Sequence, residues 1–134
     1  MPHRKSLGLV WRRIPQRYRL MGTKCLTCGT HFFPPRDFCP NCRRKGKIVE
    51  HRMKGRGTVY SYTTVRVPQE GFELEAPYIL AIIQLQEGPR LTAQLCDVSP
   101  EEVYIGMPVK MVFRKITEDG DEGIIHYAYK FTKE

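Results

Sequence analysis

Apolar and polar residues alternate through the second half of this 134-residue chain in short runs divided by turn residues, a pattern that predicts β-structure. Five runs, at 58–67, 78–87, 90–96, 108–116 and 124–131, are rich in Val, Ile, Thr, Tyr and Phe. In the third, Leu91, Ala93 and Leu95 alternate with Arg90, Thr92 and Gln94, which predicts a strand with one buried face. Gly88-Pro89 predicts a hairpin between the second and third runs, and Asp119-Gly120 one between the fourth and fifth. Between the third and fourth, "SPEEVYIG" reads as one helical turn, with Ser99 as cap, Pro100 in the first position and two glutamates at the positive end. Five strands with such an insertion predict a small closed barrel of the OB type.

The pattern changes towards the N-terminus. Leu7, Val10, Trp11 and Ile14 fall on one face of a short helix, with Ser6 a weak start signal and Pro15 expected to end or kink it. Three segments result: a helical stretch at 1–21, a cysteine-bearing stretch at 22–45, and the barrel at 46–134.

The middle segment carries the chemistry. Cys25 and Cys28, in "KCLTCG", and Cys39 and Cys42, in "FCPNC", form two Cys-x2-Cys pairs, with Gly29, Pro40 and Asn41 building tight turns. Two such turns face to face offer four thiolates in a tetrahedron, a donor set suited to zinc; iron in a rubredoxin-like site would use the same sulfurs. With every position taken by protein, no place is left for water or substrate, so the metal is expected to be structural. Phe32, Phe33 and Phe38 are expected to shield the thiolates from water.

Composition refines this. Residues 1–56 hold 15 Lys/Arg against 2 Asp/Glu, and residues 57–134 hold 7 against 12, so net +13 faces net −5. A zinc tetrathiolate would remove two positive charges and leave the polarity intact. One end should therefore attract phosphates, polyanions or an acidic protein surface. The barrel's negative charge argues against the familiar OB route to nucleic acid, in which Tyr60, Tyr62, Tyr127 and Tyr129 would act as stacking platforms; a ribbon-based nucleic-acid module stays open as the alternative. No apolar run approaches the roughly 20 residues that cross a bilayer, nor does a secretory signal follow the basic start. Knuckle-type cysteine spacing fits a reducing cytoplasm. Cys96 is left over, ends an apolar strand and has no activating neighbour in sequence, so it is expected in the core rather than in acyl transfer. His3, His31, His51 and His126 lie in no catalytic motif and are expected at the surface or as support.

Residues 17–42, "RYRLMGTKCLTCGTHFFPPRDFCPNC", resemble the signature of a zinc-ribbon/OB-fold family known as a domain of unknown function and associated with acyl-CoA enzymes. "GRGTVYSYTTV", "SPEEVYIGMPVKMVF" and "HYAYKF" match its barrel part in order, so the resemblance spans nearly the whole chain. It implies a mainly β protein with a short N-terminal helix, a rubredoxin-like zinc ribbon and a five-stranded OB-fold barrel. It implies Zn2+ on Cys25, Cys28, Cys39 and Cys42, and no catalytic residue. The short basic form is similar to archaeal members that bridge acetoacetyl-CoA thiolase and HMG-CoA synthase, the pair that opens the mevalonate route to isoprenoids. The implied role is a scaffold in a hetero-oligomer, with CoA at a shared interface. Trp11, Arg12, Arg13, Arg17, Tyr18 and Arg19 are then the expected contacts to partners or CoA phosphates. Arg43 departs from the family pattern, where glycine often follows the second cysteine pair.

Overall fold

The computed structural model describes residues 7–134, which form two compact units, one ending at Met53 and the other starting at Lys54. Ser6 and His3 lie outside the described residues.

In the first unit, helix α1 (Leu7–Arg12) is followed at once by α2 (Ile14–Arg19). Arg13, at φ −94° and ψ 0°, breaks the helical path between them. Of the two outcomes expected of Pro15, the structure has the break in the helical path, two residues before it, and not the end of the helical segment. Pro15 itself sits in the first turn of α2, where its missing N–H is one that no helix would satisfy anyway. Leu20 caps α2 in the left-handed conformation, its N–H bonded to the Pro15 carbonyl, and turns the chain into β1 (Met21–Cys25). Strands β2 (His31–Phe32) and β3 (Ile48–Arg52) flank β1 on either side, both antiparallel. Pairing with β1 ties residues 48–52 to the ribbon, beyond the boundary expected at residue 45. The unit closes where the Met53 N–H donates to the Leu20 carbonyl at 3.1 Å, and both side chains are buried. β1 needs glycine at position 22, because a Cβ there would lie 2.4 Å from the Phe32 carbonyl oxygen and 2.7 Å from Met53 Cε.

The second unit is the barrel. β4 (Arg56–Val65), β5 (Tyr78–Leu85), β6 (Arg90–Leu95), β7 (Pro108–Glu118) and β8 (Ile125–Lys133) close in the order β4-β5-β6-β8-β7. Only β6 and β8 run parallel, joined at Leu95 and Phe131. All five predicted strands and both predicted hairpins are present, with the Gly88 N–H on the Leu85 carbonyl and the Asp119 N–H on the Ile124 carbonyl. Leu91, Ala93 and Leu95 face inward as their alternation required, joining Val59, Ile79, Ile83, Leu85, Val109 and Phe131 in the core. The predicted helical turn after β6 is a hydrogen-bonded turn instead. Glu102 N–H reaches the Ser99 carbonyl at 3.0 Å, and the Glu102 carboxylate accepts from the Ser99 N–H at 3.4 Å. Left-handed Asp97 and Gly106 bend the chain on either side, and Val103 and Met107 are buried. Among the described residues no helix is long and apolar enough to cross a membrane.

Candidate metal centre and its basic surroundings

The two cysteine pairs lie in turns with the same hydrogen-bond plan. In the first, the N–H of Gly29, four residues after Cys25, donates to the Cys25 carbonyl at 2.7 Å; in the second, the N–H of Arg43, four residues after Cys39, donates to the Cys39 carbonyl at 2.8 Å. Both residues are left-handed, Gly29 at φ 76° and Arg43 at φ 53°. The place where glycine is usual thus has the conformation that favours glycine, and arginine adopts it nonetheless. The Cys42 N–H also points at Cys39 Sγ, 3.4 Å away.

All four Sγ atoms lie within 4.8 Å of one another, with Cys25 to Cys42 at 3.9 Å and Cys28 to Cys39 at 3.6 Å. A zinc ion bonded to sulfur at about 2.3 Å sits in a tetrahedron with edges of about 3.8 Å, so these spacings suit it. The thiols are far from equivalent. The Cys25 thiol is lowered to about 6, chiefly by the backbone N–H of Cys28 and against the effect of its burial, while the Cys42 thiol is pushed up to about 12, first by its hydrogen bond with Cys28. Four adjacent thiolates repel one another, and a divalent cation is what lets all of them ionise. Gly46 completes the fit, since a Cβ there would lie 2.9 Å from Cys39 Cβ and 3.2 Å from Cys42 Cβ. Nothing in the sequence around "RRKGKI" singles this glycine out. Its role comes from the chain folding back under the second turn. Cys25 and Cys39 are buried, Cys42 is half-buried and Cys28 exposed. Of the expected aromatic cover Phe33 is buried and Phe32 half-buried, whereas Phe38 is 56% exposed and lines a surface hollow with Cys42.

Around the ribbon the charge is unopposed. Residues 1–53 hold 13 Lys/Arg against 2 Asp/Glu. Among the described residues no ion pair involves any of them. The pairs Arg56–Glu134, Arg114–Asp97, Lys115–Glu118, Lys130–Glu75, Lys133–Glu102 and His126–Asp119 all lie in the second unit. Trp11 is 75% and Leu7 67% exposed, Arg12 and Arg19 are exposed, and Arg13, Arg17 and Tyr18 are half-buried. The apolar face of α1 therefore has no buried residue of its own.

The barrel holds no catalytic constellation among its described residues. Cys96 is half-buried rather than in the core, and its thiol is raised by burial first and by Asp97 next, the reverse of an activated nucleophile. His126 is not at the surface; it is buried and paired with Asp119 at 2.9 Å. The tyrosines do not form one open stacking face. The Arg90 guanidinium lies 3.8 Å above the Tyr60 ring, and Tyr127 is stacked on Phe113 at 5.1 Å.

Residues 12–47 match the family described as the ChsH2 rubredoxin-like zinc ribbon domain, and residues 50–114 match the ChsH2 C-terminal OB-fold domain. The zinc-ribbon match and the four-cysteine cluster together support a structural zinc. A "DUF35 domain-containing scaffold protein" of Methanocaldococcus jannaschii is 54% identical over 90% of this chain and 86% of its own. Another of that description, from Pyrococcus furiosus, is 49% identical over 90% and 88%. The benzoylsuccinyl-CoA thiolase subunit BbsA of Geobacter metallireducens is 32% identical over 85% and 74%. Among solved structures, a chain of the "Ltp2-ChsH2(DUF35) aldolase" superposes with a TM-score of 0.71 at 28% identity, covering 96% of this chain and 94% of that one. The chain belongs to the DUF35 family, zinc ribbon and OB-fold barrel joined in one polypeptide and linked through its relatives to acyl-CoA enzymes.

Proposed function

We propose that this protein is a non-catalytic cytoplasmic scaffold that bridges acetoacetyl-CoA thiolase and HMG-CoA synthase, so that acetoacetyl-CoA is used where it is made. The scaffold relatives at 54% and 49% identity support the general role. The thiolase subunit and the aldolase neighbour support acyl-CoA enzymes as the partner class. The observation that carries the reading is the ribbon unit's surface, where exposed Leu7 and Trp11 lie among arginines that have no ion pair within the described chain. Exposed tryptophan beside arginine is the side-chain chemistry of interface anchors. The closed sulfur site and the unactivated Cys96 support the absence of turnover. Arg12, Arg13, Arg17 and Arg19 would meet acidic partner groups or the phosphates of CoA held at a shared interface.

Reconstitution tests this. The protein mixed with the two enzymes should give one hetero-oligomer on size exclusion, without thioester turnover of its own. Replacing Trp11 and the four arginines with alanine should abolish the hetero-oligomer. Retention of the complex by that variant would sink the contact assignment. The unpaired cations also favour a second reading, a ribbon-based nucleic-acid module, which requires oligonucleotide affinity that falls steeply with salt.

A further inference from the structure

Strand β4 outruns the barrel. On the β7 side its ladder ends early. The register pairs Arg56, Gly57 and Thr58 with Lys110, Val109 and Pro108, and Val59 makes the last bonds, to Met107 and Gly106. On its other side β4 stays paired with β5 as far as Val65. Residues 61–65 therefore have a partner strand on one edge and, among the described residues, none on the other. A bulge between Val59 and Ser61 starts this stretch. Tyr62 stands opposite buried Ala81, which places it on the inner face, yet it is 39% exposed because the strand has passed the rim. Tyr60, Ser61, Tyr62 and Thr63 are all exposed, so both faces of the strand meet solvent.

The composition of that edge is unusual. Soluble proteins guard an open strand edge with lysine, proline, an inward charge or a bulge; here the bulge lies at the start of the stretch and residues 61–65 beyond it pair regularly with β5. Residues 58–65, "TVYSYTTV", hold no charge, no proline and no glycine, and consist of strong strand formers. A regular edge without charge, proline or glycine is a pairing surface, and its sequence matches itself. In an antiparallel pair about a two-fold axis through Thr63, Thr63 faces its own copy, Tyr62 faces Thr64, and Ser61 faces Val65. Threonine pairs and aromatic–β-branched pairs are favourable across strands, and no like charges are opposed in that register. An isologous contact of this kind closes on itself and builds no fibre.

We propose that the β4 edge is a homodimer interface, two copies of this chain joined antiparallel through residues 61–65. It makes no use of the ribbon and stands whether or not the chain bridges acyl-CoA enzymes. The test is sedimentation of the zinc-loaded full chain over a wide concentration range. The wild type should dimerise. Thr63→Lys, at an exposed position, should weaken dimerisation by at least about tenfold, because it sets two lysines face to face. In a second variant, Thr63→Cys, mild oxidation should give a disulfide between the two copies of the new thiol, identified by peptide mapping, since residues directly opposed in an antiparallel pair bring their Cβ atoms within reach of one bridge. A wild type that is monomeric throughout overturns the proposal, including one whose edge pairs only with a strand of another protein. A dimer indifferent to Thr63→Lys overturns it too, as does a Thr63→Cys variant whose introduced thiol never links to its copy.

Discussion

At the scale of single residues, the metal centre is governed by space and by backbone conformation as much as by sulfur. Gly46→Ala would push a methyl group against two ligand-bearing side chains at 2.9 and 3.2 Å. A well-packed site resists such an insertion at a cost of about 1–3 kcal/mol. The variant should melt at lower temperature and release zinc to a chelator faster, as a colorimetric zinc assay would record. Arg43 offers the opposite case. At φ 53° it holds a conformation that costs a non-glycine residue about 1–2 kcal/mol, and Arg43→Gly should raise the melting temperature by several degrees with zinc retained. Cys96 gives a pH test. Burial and the neighbouring Asp97 lift its thiol above the ordinary value, so the thiolate forms only at higher pH. Alkylation of this one cysteine, followed by mass spectrometry on the zinc-loaded protein, should be slow at neutral pH and accelerate only above the range of a free thiol.

At the scale of elements, each difference between sequence and structure has a physical source. The barrel strands are legible because one buried face imposes period two, and Leu91, Ala93 and Leu95 keep it without exception. β1 and β3 are not, because "MGTKC" and "IVEHR" belong to a small sheet with little core to impose a period. Their place is set by the cysteine turns. The quartet itself is readable from spacing, but Gly46 is not, because the approach that requires glycine arises only when chain beyond the second pair folds back. Pro15 reads as a stop or a kink and lies in the first turn of the second helix, just after the break, since proline suits the first turn of a helix as well as the position after the last. Capping signals at Ser99 mislead for lack of an apolar period behind them. If the cysteine turns place β1 and β3, chelating the metal should release that sheet alone. Amide exchange after zinc removal should rise across residues 21–52 while β5 and β6 keep their protection.

At the scale of the whole molecule, the ion pairs among the described residues all fall in one unit and the excess of cations in the other. Five of the second unit's cations, Arg56, Arg114, Lys115, Lys130 and Lys133, are paired with carboxylates, Lys130 being buried to 5% exposure and held by Glu75 at 3.3 Å. The ribbon's cations are matched to none among the described residues. Contacts made by the ribbon should therefore weaken with ionic strength. Raising salt from about 0.05 to about 0.5 M shortens the screening length severalfold, and partner enzymes held through Arg12, Arg13, Arg17 and Arg19 should dissociate across that range. An uncharged dimer contact at the β4 edge should persist, so light scattering across one salt titration would separate the two surfaces.

The left-handed arginine of the second cysteine turn has one more consequence. Glycine there would relax the main chain and leave the hydrogen bond from position 43 to the Cys39 carbonyl in place. The glycine variant ought then to be the sturdier molecule, and a loss of partner binding alongside that gain would assign recognition to the tip of that turn.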